Sequence, residues 1–193
     1  MSSGRSDGGP RLALKILVAG GFGVGKTTLV ASVSEIRPLR TEEYLTDAGV
    51  GVDDTSGVEA KTTTTVAMDF GRITLRDGVV IYLFGTPGQD RFWFMWNELS
   101  RGAIGAVVLA DTRRLTASFG AIDYFEQRRI PFIVAVNCFD GAYQYSLAEI
   151  RDALDVDPHV PVLTCDARRR ESAKEVLITL IEHAASLSAA ASS

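Results

Sequence analysis

The sequence predicts a doubly wound α/β domain, with a mostly parallel six-stranded sheet, one antiparallel edge strand, and helices on both faces. Three observations predict it. Short apolar runs rich in strand formers alternate with helical stretches from residue 12 to residue 187, the pattern of a parallel sheet covered on both sides. A glycine-rich stretch, Gly-Gly-Phe-Gly-Val-Gly-Lys-Thr at 20–27, separates the first apolar run from the first helical one. Finally, Asp77-Gly78 links two strand-like runs, a hairpin signal that turns one strand against the others.

Taken in order, residues 1–11 are rich in Ser and Gly with no apolar core, and they read as a disordered lead. Residues 12–19 form the first strand, expected at the centre of the sheet. A helix is expected over 26–36, ending before Pro38 because the residue preceding a proline disfavours helix. From 37 to 61 no apolar periodicity remains, and the segment carries six acidic residues, Glu42, Glu43, Asp47, Asp53, Asp54 and Glu59. It reads as a long mobile loop whose acidity phosphate and magnesium must organise. The hairpin follows, with strands over 66–75 and 79–84, then strands over 103–110, 131–137 and 160–164. Helices are expected over 115–128 and 146–154. In a last helix over 171–187, Ala173, Val176, Leu177, Leu180, Ile181, Ala184 and Leu187 share one face. Residues 188–193 read as a disordered tail, which leaves a single domain over 12–187.

Bulk properties narrow the function. The 193-residue chain is 46% hydrophobic, enough for a full core. No apolar stretch approaches the roughly 20 residues that cross a bilayer, and neither a lipidation signal nor a secretory leader is recognisable, so a cytoplasmic protein is expected. A formal net charge of −4 argues against a nucleic-acid binder, which would carry a basic face. Cys138 and Cys165 lack metal-ligand spacing and read as reduced structural thiols, and no catalytic role is assigned to His159 or His183.

The chemistry lies at the strand ends. The loop at 20–27 fits glycine, four residues, Gly-Lys-Thr, and its strand-loop-helix setting is the one phosphate binding requires. Gly20, Gly23, Val24 and Gly25 curl the backbone so that N–H groups face an anion at a helix start that continues into Thr28. Lys26 supplies a point charge, and the Thr27 hydroxyl a ligand for magnesium. After the strand at 79–84 comes Gly85-Thr86-Pro87-Gly88-Gln89, where the Gly88 N–H can approach a terminal phosphate and the Gln89 amide can orient a water. After the strand at 131–137 comes Asn137-Cys138-Phe139-Asp140. Guanine offers N1–H and an exocyclic amine side by side, which one carboxylate accepts together, whereas adenine presents a lone pair at N1. Asp140 therefore selects guanine if it lines the base pocket, with Asn137 tethering neighbouring loops. Following the strand at 160–164, the Ala167 N–H is placed to meet the guanine carbonyl.

In order and spacing, these four stretches resemble the Ras-like small GTPases over nearly the whole chain, and more narrowly the bacterial branch associated with roadblock-type partners. The resemblance implies a P-loop small G domain and a GTP/GDP switch using Mg2+. Lys26 holds the phosphates, and Thr27 and Thr65 the magnesium, with Thr64 the alternative to Thr65. Gly88 meets the γ-phosphate, Gln89 places the attacking water, and Asn137, Asp140 and Ala167 read guanine. A roadblock-type regulator, and with it a membrane sensor kinase complex, is the implied partner. The sequence departs from the family at Gly85, where an aspartate normally steadies magnesium through water, and at Cys138, where a lysine stem packs on the purine. Weaker magnesium and nucleotide affinity follow from those losses, and the stem of Arg168 is one possible replacement. Residues 92–99 read as the second switch helix, with Phe92, Met95, Trp96 and Leu99 on a core face and Phe94 on the polar side as a partner contact. Arg37 and Arg40 are candidates for a charge supplied in cis. Two rivals stand beside the switch: a nucleotide-bound scaffold with little hydrolysis, and an ATP-using enzyme.

Overall fold

A computed structural model describes residues 12–46, 63–75, 78–88 and 94–191, and within it the side chains of 40–46, 63–67 and 94 are not described. The elements run β1 (Leu12–Ala19), α1 (Lys26–Val33), β2 (Leu39–Thr46), β3 (Thr63–Thr74), β4 (Val79–Gly85), α2 (Phe94–Ser100), β5 (Gly105–Ala110), α3 (Phe119–Arg128), β6 (Phe132–Asn137), α4 (Leu147–Leu154), β7 (Val162–Cys165) and α5 (Arg170–Ala191). A 3-10 turn over Leu115–Ser118 leads into α3.

The sheet orders its strands β2-β3-β4-β1-β5-β6-β7. Strands β4, β1, β5, β6 and β7 are parallel neighbours, and β3 runs antiparallel to both β4 and β2. The doubly wound class thus holds, but the sheet carries seven strands instead of six. The additional strand, β2, lies within the stretch read as patternless, and it displaces β3 from the edge. Its sequence, Leu-Arg-Thr-Glu-Glu-Tyr-Leu-Thr, is charged and barely alternates, as suits an edge strand protected from pairing with other chains.

Alternation along the strands divides the core into two layers. Ile16, Val18, Ile81, Leu83, Val107, Leu109 and Ile133 face one way, packing on Leu29, Val30 and Val33 of α1 and on Ala173, Val176, Leu177 and Leu180 of α5. Leu17, Ala19, Ala106, Val108 and Val134 face the other, packing on Trp96 of α2, Ile122 and Phe125 of α3, and Ile150 and Leu154 of α4. Trp96 stacks on Phe125 with centroids 5.8 Å apart and meets Tyr124 edge-on at 5.1 Å. The expected core side of the switch helix is therefore seen in Trp96, whereas the Phe94 side chain lies outside the described set.

Two helix ends differ from the sequence reading. α1 stops at Val33, three residues early, because Ser34 takes an extended conformation and its hydroxyl accepts the N–H groups of Ile36 and Arg72. α5 continues to Ala191, past the residue where a disordered tail was expected to start, since Ala189, Ala190 and Ala191 are the strongest helix formers. α4 begins on a complete capping box, with the Ser146 hydroxyl accepting the Glu149 N–H at 3.3 Å and the Glu149 carboxylate accepting the Ser146 N–H at 2.8 Å. In the hairpin, the Leu75 N–H donates to the Val79 carbonyl at 2.7 Å, and Gly78 takes φ 77°.

Candidate nucleotide site

Parallel strands β1, β4, β5, β6 and β7 present their carboxyl ends along one edge of the sheet, where such folds bind ligands. The loop at 20–25 leaves β1 there and enters α1 through Gly25, at φ 108°, a conformation open to glycine. Lys26 folds back under the loop, its Nζ donating to the Gly20 and Gly21 carbonyls at 2.8 Å each. Burial pushes the Lys26 ammonium down to about 8, opposed by the nearby Asp69 carboxylate. A partly desolvated amine of this kind gains its charge most readily when an anion arrives.

Across the loop, β4 continues into Thr86, whose N–H donates to the Val18 carbonyl at 2.9 Å. Gly88 then comes so close to the phosphate loop that a Cβ on it would lie 2.6 Å from Lys26 Nζ and 2.9 Å from Phe22 N. A side chain here would force Phe22 or Lys26 to shift, so the approach suits a glycine. Gln89 lies outside the described residues. Arg114, not singled out by the sequence, braces the loop from outside by donating to the Phe22 carbonyl at 3.0 Å.

Asp69 of β3 is the site residue that sequence reasoning missed. Its Oδ2 accepts the Thr27 hydroxyl at 2.5 Å, and its register partner across the ladder is Gly85. A Cβ on Gly85 would sit 3.1 Å from Asp69 Cβ and 3.3 Å from Asp69 Oδ2. The Asp69 carboxylate thus stands beside the end of β4, in space that a side chain at 85 would contest. A hard hydroxyl and a hard carboxylate oxygen side by side at the phosphate loop fit magnesium. Thr65 belongs to β3 opposite Tyr44, four residues and about 13 Å along the strand from Asp69. Its side chain lies outside the described set. Among the described residues, no group of three or more His, Cys, Asp or Glu side chains forms a metal cluster.

At the base end, Asn137 is 7% exposed and joins three loops. Its Nδ2 donates to the Val24 carbonyl at 2.9 Å, and its Oδ1 accepts the Ala167 N–H at 3.0 Å. The tethering expected of Asn137 is visible in these bonds. They also engage the Ala167 N–H, which the sequence reading had reserved for the base, with a neighbouring side chain. The Asp140 carboxylate is exposed and held by Arg168 at 3.0 Å. Behind this motif lies a cavity of about 250 Å³ lined in part by Cys138, Phe139, Tyr143 and Tyr145. Cys138 is exposed and Cys165 buried, both as free thiols, and burial pushes the Cys165 thiol up to about 11. Arg37 is exposed in the connection between α1 and β2, and the Arg40 side chain is among those not described.

Comparison with known proteins adds the following. A family model described as a conserved hypothetical ATP binding protein matches residues 18–187. The uncharacterized protein MJ1339 of Methanocaldococcus jannaschii is 32% identical over 129 residues, covering 66% of this chain and 71% of that protein. Among solved structures, the cytosolic domain of the T. maritima FeoB iron transporter in a GDP form superposes with a TM-score of 0.63 at 20% identity, over 91% of this chain and 65% of that one. Its GMPPNP form gives 0.62 at 20% identity, over 89% and 64%. This chain therefore spans less than two thirds of those cytosolic domains. The FeoB G-domain of Methanococcus jannaschii gives 0.59 at 12% identity, over 90% and 98%. At such identities the likeness is one of fold. No helix among the described residues is long and apolar enough to cross a membrane.

Proposed function

The chain belongs to the family described as conserved hypothetical ATP binding proteins, and from that membership and the geometry of its site we propose that it is a GTP-binding switch that slowly hydrolyses GTP to GDP and phosphate. The observation that carries this reading is the pair of hydrogen bonds that Asn137 makes with Val24 and Ala167, which ties the phosphate loop to the loop bearing Asp140. The GDP and GMPPNP forms of the FeoB cytosolic domain support a guanine nucleotide.

In this reading the N–H groups of residues 20–27 and the Lys26 ammonium take up the charge of the β- and γ-phosphates, and Gly88 meets the γ-phosphate. Thr27 and Asp69 would hold magnesium, which when bound neutralises charge on the phosphate oxygens. Gln89 orients the attacking water, the carboxylate of Asp140 accepts the guanine N1–H and amine, and Ala167 lies against the base. Loss of the γ-phosphate then releases the segments around Thr65 and Gly88, and a roadblock-type regulator, or a membrane sensor kinase complex that draws this cytoplasmic protein to the bilayer, reads the change. Phe94 is the proposed contact for that partner.

Single-turnover release of phosphate from bound GTP tests the enzyme. Release is expected to fall roughly tenfold or more in Gln89→Ala, with GDP affinity retained. No release by the wild-type protein, alone or with a roadblock-type partner, would leave a nucleotide-bound scaffold instead. The family's description favours a second reading, an ATP-binding protein. Displacement of labelled GDP by ATP as effective as that by GTP would decide for it.

A further inference from the structure

Arg168 is the most heavily engaged side chain at the base end of the site. Its Nη1 donates to Asp140 Oδ2 at 3.0 Å and its Nη2 to Asp140 Oδ1 at 3.3 Å, so the guanidinium spans both oxygens of that carboxylate. A second edge is held by Asp166, with Nε to Oδ1 at 2.9 Å and Nη2 to Oδ2 at 3.1 Å. The loops carrying the two acids are fixed relative to each other. The Cys138 N–H donates to the Cys165 carbonyl at 2.7 Å, and the Asp166 N–H donates to Ser172 Oγ at 3.0 Å. The Asp140 side chain is 88% exposed, that of Asp166 only 21%. Asp166 is thus the fixed mooring of the guanidinium, and Asp140 the outer contact that can be exchanged.

The contact that Arg168 makes with Asp140 has the same form as the one guanine needs. A guanidinium edge and the N1–H/amine edge of guanine both present two parallel N–H donors on an N–C–N unit, and both satisfy a carboxylate through its two oxygens. The two cannot hold those oxygens in that geometry together. We propose that Arg168 is a built-in competitor for guanine at Asp140, and that this competition sets how strongly the site prefers guanine over adenine. While Arg168 holds Asp140, the carboxylate is neutralised and its repulsion of the adenine N1 lone pair is muted. When Arg168 retreats onto Asp166, Asp140 is free to accept guanine and to reject adenine. Guanine can drive that exchange because it brings replacement donors, and adenine cannot.

This inference rests on the proposed guanine site, and its test separates the two. Equilibrium affinities for GDP and ADP are measured for wild type, Arg168→Met, which keeps an apolar stem without the fork, and Asp166→Asn, which weakens the mooring. Loss of one exposed bidentate pair corresponds to a change of about three- to tenfold. GDP is expected to bind Arg168→Met tighter by about that factor and Asp166→Asn more weakly, with no matching gain for ADP. A GDP affinity unchanged or lowered in Arg168→Met overturns the competition, as does an equal gain for ADP, which would mark Arg168 as a general obstruction. Wild-type protein without measurable affinity for either nucleotide overturns the nucleotide site itself, and the competition with it.

Discussion

Replacing Asp69 by Asn keeps the side chain's size and removes the charge that β3 brings to the phosphate loop. Asp69 Oδ2 lies 2.5 Å from the Thr27 hydroxyl, so the substitution leaves a neutral amide where an anion met the residue expected to ligate magnesium. Loss of a group that holds or orients a metal ligand costs about 10–100-fold in metal affinity, or roughly 1.4–2.8 kcal/mol at tenfold per 1.4 kcal/mol. The assay is the affinity for labelled GDP with magnesium and with a chelator. The ratio of the two is expected to collapse toward one in Asp69→Asn, while affinity in the chelator changes little. Gly85→Asp alone should lower the melting temperature, because its Cβ would lie 3.1 Å from Asp69 Cβ and bring a second carboxylate against the first. The exchange Asp69→Gly with Gly85→Asp should restore part of the magnesium dependence by returning one acid from the other strand. A ratio in Asp69→Asn as large as in wild type would refute the role of Asp69.

Two further expectations concern the remaining ends of the site. Lys26 has its folded pKa lowered from 10.5 to about 8, so between those values the unfolded chain binds more protons, and stability without ligand rises with pH across that window. Nucleotide needs the ammonium, so its affinity should fall as pH rises through about 8. Calorimetry at about pH 8.5 in buffers of differing ionisation heat should then show uptake of more than half a proton per GDP bound, and no uptake would contradict it. Asn137→Ala removes two buried hydrogen bonds and strands the partners of both, a loss of about 2–4 kcal/mol. For a chain of this length that lowers the melting temperature by roughly 5–15 °C, measurable by thermal denaturation, together with weakened GDP binding.

Much of this was legible in the sequence, because the phosphate loop and the strand-end motifs are local signals. The order Gly, four residues, Gly-Lys-Thr after an apolar run determines both the chemistry and the place of Lys26 and Thr27. Asn137 could be assigned its tethering role because a buried strand leading into Asn-Cys-Phe-Asp must end at the ligand edge. Asp69 escaped because its meaning depends on a neighbour distant in sequence. The Asp77-Gly78 turn nevertheless contains the missing signal. A hairpin that sets Leu75 opposite Val79 also sets Asp69 opposite Gly85. Strand β2 escaped for a different reason, since an edge strand covered with charge carries no apolar alternation to detect. Nor could the fork of Arg168 onto Asp140 be read from spacing, because the two residues are 28 positions apart and meet only through the pairing of β6 with β7.

The placement of Asn137 also governs how energies combine. One amide fixes the wall proposed to receive phosphate and the wall proposed to receive the base, so ordering either wall lowers the entropic cost of ordering the other. Binding then resembles a chelate, in which the joined halves of the nucleotide are held far more tightly than the halves added separately. Substitutions in the phosphate loop and at Asp140 should accordingly be non-additive, and a cycle between them measures the coupling that this single side chain transmits.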